Sequence, residues 1–337
     1  MNDTTHPRYI NPYTDFGFKK LFGTPMNKDL LVSFLNALLF RNQPHKQVIK
    51  DIRYLPTEHF GQFANRRAIF DVFCETEDGA QFIVEMQNVY QQFYKDRSVF
   101  YATFPIQEQS KVGDDWNFEL KEVYTVGILN FEFKEDEYSK DCYHHEVKLM
   151  DTADHHVFYD KLTFVYLEMP KFNKAEDELA DMFDKWLFVL KNLSRLFERP
   201  KALQERVFTK LFEQAEIARF TPDERRGYED SVKTYRDINN AIATAERDAE
   251  KRGEDKGREE GRAEGLTEGL AKGRTEGLTE GLAKGRAEGK EEGLTEGLAK
   301  GKAEANLDNA RKMKELGASD DFISQVTGLP LEEIEKL

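Results

Sequence analysis

"FDVFCETEDGAQFIVEMQ", Phe70 to Gln87, consists of two apolar runs around Glu77-Asp78-Gly79. The first run carries Asp71 near its start, and the second ends Glu85-Met86-Gln87. Strand alternation puts Ile83, Glu85 and Gln87 on one face and Phe82, Val84 and Met86 on the other. In the partner strand Ile69, Asp71 and Phe73 share a face. Whether the two acids meet depends on register, because directly opposed residues point to the same side. A two-residue Asp78-Gly79 loop sets Asp71 opposite Met86 and sends the acids to opposite faces. A three-residue Glu77-Asp78-Gly79 loop sets Asp71 opposite Glu85. Asp-Gly ordinarily favours the tighter loop, but Gly79 also suits the left-handed position of a three-residue hairpin. The expected register is the one that brings Asp71 and Glu85 together.

Two such carboxylates are costly to bury without compensation. A divalent cation removes the cost, and a few hard oxygen ligands with room for water and phosphate suit Mg²⁺. The plainer alternative is a solvated sheet rim on which the acids pair with Arg66, Arg67 or Arg97. Spacing alone leaves both open.

Outward from this hairpin, "KDLLVSFLNALLF" (Lys28 to Phe40) has apolar residues at helical spacing. "QQFYKDRSVFYATFPIQEQSKV" reads as a helix packed through Phe93, Val99, Phe100 and Phe104. Glu122 to Phe133 is β-branched and aromatic, a buried strand, and Lys161 to Pro170 is another, closed by proline. From about Phe172 to Arg252 the pattern is helical, with Trp186, Leu187, Leu190 and Leu193 on one stripe. This order predicts an α/β fold, a mixed sheet flanked by helices. The core is expected over residues 1–170, with 171–252 completing it.

Of 337 residues 33% are charged and 39% hydrophobic, so a core of this size requires the charge to be concentrated elsewhere. The net charge of −14 argues against a surface wholly built for nucleic acid but permits a local basic groove. The two cysteines, Cys74 and Cys142, are too few for a disulfide framework or zinc cluster, which fits a cytoplasmic location. No stretch approaches membrane-spanning length, and no leader-like apolar segment is present at the N-terminus.

The charge lies toward the C-terminus. Over residues 253–304 the text is a repeat tract. Between Gly253 and Gly301 a glycine falls at every fourth position, 13 of the chain's 22. "GLTEGLAKGRTE" recurs with small changes from Gly277 and Gly293. Glu268–Lys272, Glu280–Lys284 and Glu296–Lys300 are spaced to support a helix. Thirteen glycines oppose it by on the order of 10 kcal/mol relative to alanine. One reading is a frayed polar spacer; the other is a winding glycine stripe through which two chains form a homo-oligomer. Residues 305–337 resemble a helix-turn-helix broken at Gly317 and Gly328. They hold four basic against seven acidic residues, which favours a packing tail over a DNA reader.

Several blocks resemble one known family. "TDFGFKKLFG", "LLVSFLNALL", "FDVFCETEDGAQFIVEMQ", "DRSVFYA" and "YTVGILNFEF" occur in the order seen in the Rpn family of recombination-promoting nucleases and transposases, of the PD-(D/E)XK nucleases. The resemblance covers roughly residues 9–250. It implies a restriction-endonuclease-like α/β core with a C-terminal helical and glycine-repeat extension. It also implies a DNA endonuclease that uses Mg²⁺ or another divalent cation and acts in recombination or defence. Asp71 and Glu85 would be metal ligands and the Met86 carbonyl a third. Gln87 stands at the usual lysine position, where its amide can orient water or phosphate but brings no charge. Lys95 or Arg97 would then supply that charge, and Asp15 a further acid, unless "PYTDFGF" is a turn in which Asp15 binds backbone N–H groups. The departure from lysine keeps a second function open, a catalytically inactive scaffold assembled through the tail. His144-His145 and His155-His156 are weaker metal candidates in a polar loop. Ser98 has no evident triad partner, and no phosphate-binding glycine loop is legible.

Overall fold

The computed structural model describes residues 7–41, 48–60, 67–110, 117–134 and 141–337. The chain divides into two units, Met1–Ala243 and Thr244–Leu337.

In the first unit the opening hairpin forms the middle of a six-stranded sheet. Strands β1 (Ile52–Tyr54), β4 (Val72–Thr76), β5 (Gln81–Gln87), β6 (Val123–Leu129), β7 (His144–Met150) and β8 (Val157–Glu168) lie in the order β1-β4-β5-β6-β8-β7. β5, β6 and β8 are parallel, and the other neighbours are antiparallel. β2 (Glu58–Phe60) and β3 (Arg67–Ile69) make a separate pair. The mixed sheet agrees with the order read from sequence.

The β4–β5 turn settles the register. Thr76 N–H donates to the Ala80 carbonyl at 2.9 Å, and Gly79 N–H donates to the Thr76 carbonyl at 3.0 Å. Gly79 has φ +88°, the left-handed conformation that completes a three-residue loop. The ladder then runs Val72 opposite Val84 and Phe73 opposite Ile83, so its continuation sets Asp71 against Glu85.

Helices cover both faces. On one, α1 (Asp15–Phe22), α2 (Lys28–Leu39), α4 (Met182–Asn192) and α5 (Arg206–Ala215) pack on Val72, Phe82, Val84, Val126 and Val165. Phe22, Phe34 and Trp186 meet there with ring centroids 5.4–5.8 Å apart. Each fully buried aromatic of this kind contributes about 2–3 kcal/mol. Trp186, Leu187, Leu190 and Leu193 are all buried, as their spacing indicates.

On the other face lies α3 (Tyr94–Glu108). Its phase differs from expectation. Phe93, Val99 and Phe100 are exposed, whereas Tyr94, Ser98, Ala102 and Phe104 are buried. The sheet beneath carries Glu85, Gly127 and Tyr166 in one row, and a row of that composition accepts hydroxyls and small side chains.

Helix α6 (Pro222–Glu315) starts at a capping box: Thr221 Oγ1 accepts from Glu224 N–H, and a Glu224 carboxylate oxygen accepts from Thr221 N–H at 2.9 Å. It runs unbroken through the glycine tract, where fraying was one expectation. The three expected Glu–Lys pairs do not close within it. Lys256–Glu260 at 3.6 Å and Arg258–Asp255 at 2.8 Å do, and Thr267 and Thr275 hydroxyls donate to carbonyls one turn back. Every residue from 243 to 305 is exposed. The second unit closes with α7 (Asp320–Thr327) and α8 (Leu331–Glu335), whose Ile323 and Ile334 bury Ala310. Gly317 and Gly328, at φ +82° and +73°, make the two breaks.

Candidate active site

Asp71 and Glu85 hold each other through the backbone. Asp71 N–H donates to Glu85 Oε1 at 3.1 Å, and Met86 N–H donates to Asp71 Oδ2 at 2.9 Å. Each carboxylate thereby takes the backbone donor that the end of the ladder leaves over. Asp71 Oδ1 and Glu85 Oε2 accept no hydrogen bond among the described residues. The N–H and C=O of an extended residue leave the same edge of a strand, so the Met86 carbonyl is directed to the Asp71 side as well.

Glu85 is buried and Asp71 half-buried. Burial pushes the Glu85 carboxyl up to about 8, the charge of Asp71 adding to the effect. Burial also raises Asp71, against the Met86 N–H and the Lys19 ammonium, which favour its ionised form. The two carboxyls share a corner where ionising both is costly, and one oxygen of each stays open. That donor set, hard, anionic and incompletely hydrogen-bonded, fits a divalent cation such as Mg²⁺.

Around the pair the sheet and α3 supply a fixed frame. Glu85 lies opposite Gly127 in the β5–β6 register. A Cβ on Gly127 would fall 2.5 Å from Tyr94 Oη, so the glycine is what admits that phenol beside the acids. Burial and then the Glu85 charge raise the Tyr94 pKa, which keeps its proton in place. Ser98 Oγ and Tyr166 Oη are 2.6 Å apart, so Ser98 is a packing hydroxyl. Gln87 spends both ends of its amide: Nε2 donates to the Val89 carbonyl at 2.9 Å, and Oε1 accepts from Arg97 Nη2 at 2.5 Å. Arg97 also donates to Gln91 Oε1 at 2.7 Å and lies over the Tyr94 and Tyr101 rings.

The other sequence candidates separate. Lys95 sits with its ammonium 4.6 Å from the Phe133 ring centroid. Asp15 is not the turn-capping residue; Thr14 caps α1, and Asp15 occupies its exposed first turn, 2.7 Å from Lys19. Its charge is nevertheless felt at Asp71. Arg66 lies outside the described residues, as does the Arg67 side chain. The histidine pairs are also reassigned. His144 and His145 belong to strand β7, and buried His145 meets Glu168 at 2.7 Å. Glu168 is fully buried, binds Lys171 at 2.9 Å and accepts from Phe133 N–H. Glu168 sits in the same cross-strand row as Gln87 and Leu129. Sequence reading missed this cluster because its members are scattered along the chain. Asp151, Asp154 and His156 also gather at the β7–β8 turn, all exposed. Asp151 there accepts from Ala153 N–H, and Asp154 pairs with His156, as turn residues commonly do.

The model of the PD-(D/E)XK nuclease family transposases matches residues 12–245. The chain belongs to that family. Comparison with curated proteins gave no match, nor did comparison with solved structures. The mixed sheet with helices on both faces is accordingly a PD-(D/E)XK, restriction-endonuclease-like α/β fold. Membership indicates a nuclease, with DNA as its substrate, and PD-(D/E)XK nucleases generally use divalent metal ions. No helix among the described residues is long and apolar enough to cross a membrane.

Proposed function

We propose that this chain is a Mg²⁺-dependent endodeoxyribonuclease whose cation is held by Asp71, Glu85 and the Met86 carbonyl. The observation that carries the reading is the Asp71–Glu85 bracket, with its burial, raised carboxyls and open oxygens. A bound divalent cation would lower the pKa of its water and offset charge on the phosphate.

The chain's own residues do the rest. Asp71 and Glu85 fix each other's orientation through backbone hydrogen bonds, so little reorganisation remains when the cation arrives. Tyr94 closes the protein side of the pocket over Gly127 and excludes water behind Glu85. Gln87 does not reach substrate itself; its carbonyl oxygen holds the Arg97 guanidinium beside the acids. Arg97 thereby presents the planar, permanently charged donor set suited to a phosphate oxygen. Hydrolysis of the phosphodiester would follow by in-line attack of water and loss of a sugar oxygen. A role in recombination or defence fits such cleavage.

Replacing Glu85 by Ala should reduce cleavage of supercoiled plasmid at least 1,000-fold, as order-of-magnitude reasoning for loss of a metal ligand suggests. Circular dichroism should show the fold retained. Equal cleavage by wild type and variant would reject the assignment. Absence of cleavage by both across divalent ions and substrates would favour the scaffold function instead.

A further inference from the structure

The nuclease reading leaves one electrostatic need only partly met. Charge accumulates on a phosphoryl group during transfer, and catalysis depends on donors already aimed at it. At β5 the residue in place to do this is Gln87, neutral and bonded at both ends of its amide. Two cations act on both carboxylates, Arg97 and Lys19. Arg97 is immobilised by two hydrogen bonds and two aromatic faces.

Lys19 is placed differently. The segment leading into α1 is fastened to the end of β5, since Asn88 Nδ2 donates to the Tyr13 carbonyl. This contact sets the start of α1 next to the residue that follows Gln87. Two lysines stand together on α1, and they part company. Lys20 is largely buried in an ion pair with Glu224. Lys19 has one ion partner among the described residues, Asp15 at 2.7 Å, and their side chains are 44% and 67% exposed. An exposed pair one helical turn apart is weak and is readily exchanged for a better anion. An ammonium on a flexible stem suits a phosphate that arrives and leaves.

We propose that Lys19, delivered from α1, contacts the scissile phosphate and supplies the positive charge that β5 lacks at Gln87. The proposal rests on the nuclease reading of Asp71 and Glu85. Asp15 then serves as the resting partner that holds Lys19 near the site until DNA displaces it.

The test uses the full chain with a fluorescein-labelled duplex, binding being followed by anisotropy in Ca²⁺ and cleavage separately in Mg²⁺. Lys19→Ala should lower kcat about 100-fold with a smaller change in KM. It should also reduce the slope of log affinity against log salt by about one. Lys19→Arg, which keeps the charge, should recover most of both losses. Asp15→Asn should leave the salt slope at the wild-type value, because it removes no cation. Unchanged rate and slope in Lys19→Ala, with cleavage still dependent on Glu85, would overturn the proposal and leave the nuclease reading standing. Matching losses of slope in Asp15→Asn and Lys19→Ala would also overturn it, since they would make the ion pair a structural one. A wild type that neither binds nor cuts DNA removes the nuclease reading and this proposal together.

Discussion

Glycine means opposite things in the two units. Beneath α3, Gly127 leaves room for Tyr94, and in α1 a Cβ on Gly17 would lie 2.1 Å from the Asn11 carbonyl oxygen. Around each of the tail glycines, Gly253 to Gly301, a Cβ would meet nothing within 4 Å. In the first unit glycine is required by close approach of other atoms. In the second it recurs with a fixed spacing but makes no contact within the chain. A periodic pattern therefore says less about packing here than two isolated glycines do.

The largest expected effect breaks the comparison at its strongest point. Gly17→Ala drives a methyl into backbone, and neither the Asn11 carbonyl nor the Thr14 cap that Gly17 N–H uses can give way cheaply. It should destabilise the protein by about 3 kcal/mol or more, and Gly127→Ala by about 1–3 kcal/mol because a side chain must move. Urea denaturation of the full chain would measure both. A loss below about 0.5 kcal/mol in Gly17→Ala would mean that the contact has slack and that the contrast with the tail is overstated.

Next in size is the response to pH, which sharpens the contrast through charge in place of volume. The Glu85 carboxyl titrates near 8 in the fold, raised by burial and then by Asp71, against a usual value of 4.5. Its protonated form is the one the fold favours. The stabilisation from Glu85 is fully present below its ordinary carboxylate range and is lost as pH rises toward 8. The slope is at most about 1.4 kcal/mol per pH unit. Ordinary ion-paired acids such as Glu224, held low by Lys20, act in the reverse sense, losing stability as pH falls. The difference in stability between wild type and Glu85→Gln isolates the Glu85 contribution. In metal-free buffer the variant should gain on wild type between pH 5 and 8, and added Mg²⁺ should close the gap by binding the ionised pair. A pH-independent difference would mean that Glu85 is solvated in the metal-free protein.

How much of this was legible follows from where the determining contacts lie in sequence. The hairpin register was readable through the two acids, which lie within eighteen residues and converge in one register alone; the Asp78-Gly79 pair by itself favours the tighter loop, and Gly79 at φ +88° takes the three-residue one. The buried stripe of α4 was readable because Trp186, Leu187 and Leu190 repeat at helical spacing. The phase of α3 was not, because its exposed Phe93, Val99 and Phe100 are as apolar as a core face. What α3 buries is decided by Gly127 and Tyr166 on strands far along the chain. The Gln87–Arg97 bond was hidden for a related reason: one partner is on the sheet and the other on that misphased helix. Glu168 with His145 and Lys171 needed the β7–β8 register, which bulges near Leu149 and has no marker in sequence. In the tail the helix itself was half legible, since favourable residues and thirteen glycines point in opposite directions.

The smallest effect is expected there, and it carries the most information per kcal/mol. If the tail glycines contact nothing, replacing one such as Gly273 by Ala should stabilise the helix by about 0.8–1 kcal/mol in its own propensity. Cleavage by the first unit should be unchanged. Several replacements, at Gly265, Gly273 and Gly281, should raise helicity at 222 nm and move local hydrogen exchange toward greater protection, roughly in proportion to their number. A glycine stripe that lets two chains approach would behave in the opposite way. The added methyls would separate the backbones, and sedimentation velocity would show a shift toward smaller species despite the better helix former. Propensity and packing thus predict opposite signs for the same substitution. A gain in helicity without a change in mass identifies the tract as a spacer, and a loss of mass would give its glycines the close-approach role that Gly17 and Gly127 have in the first unit.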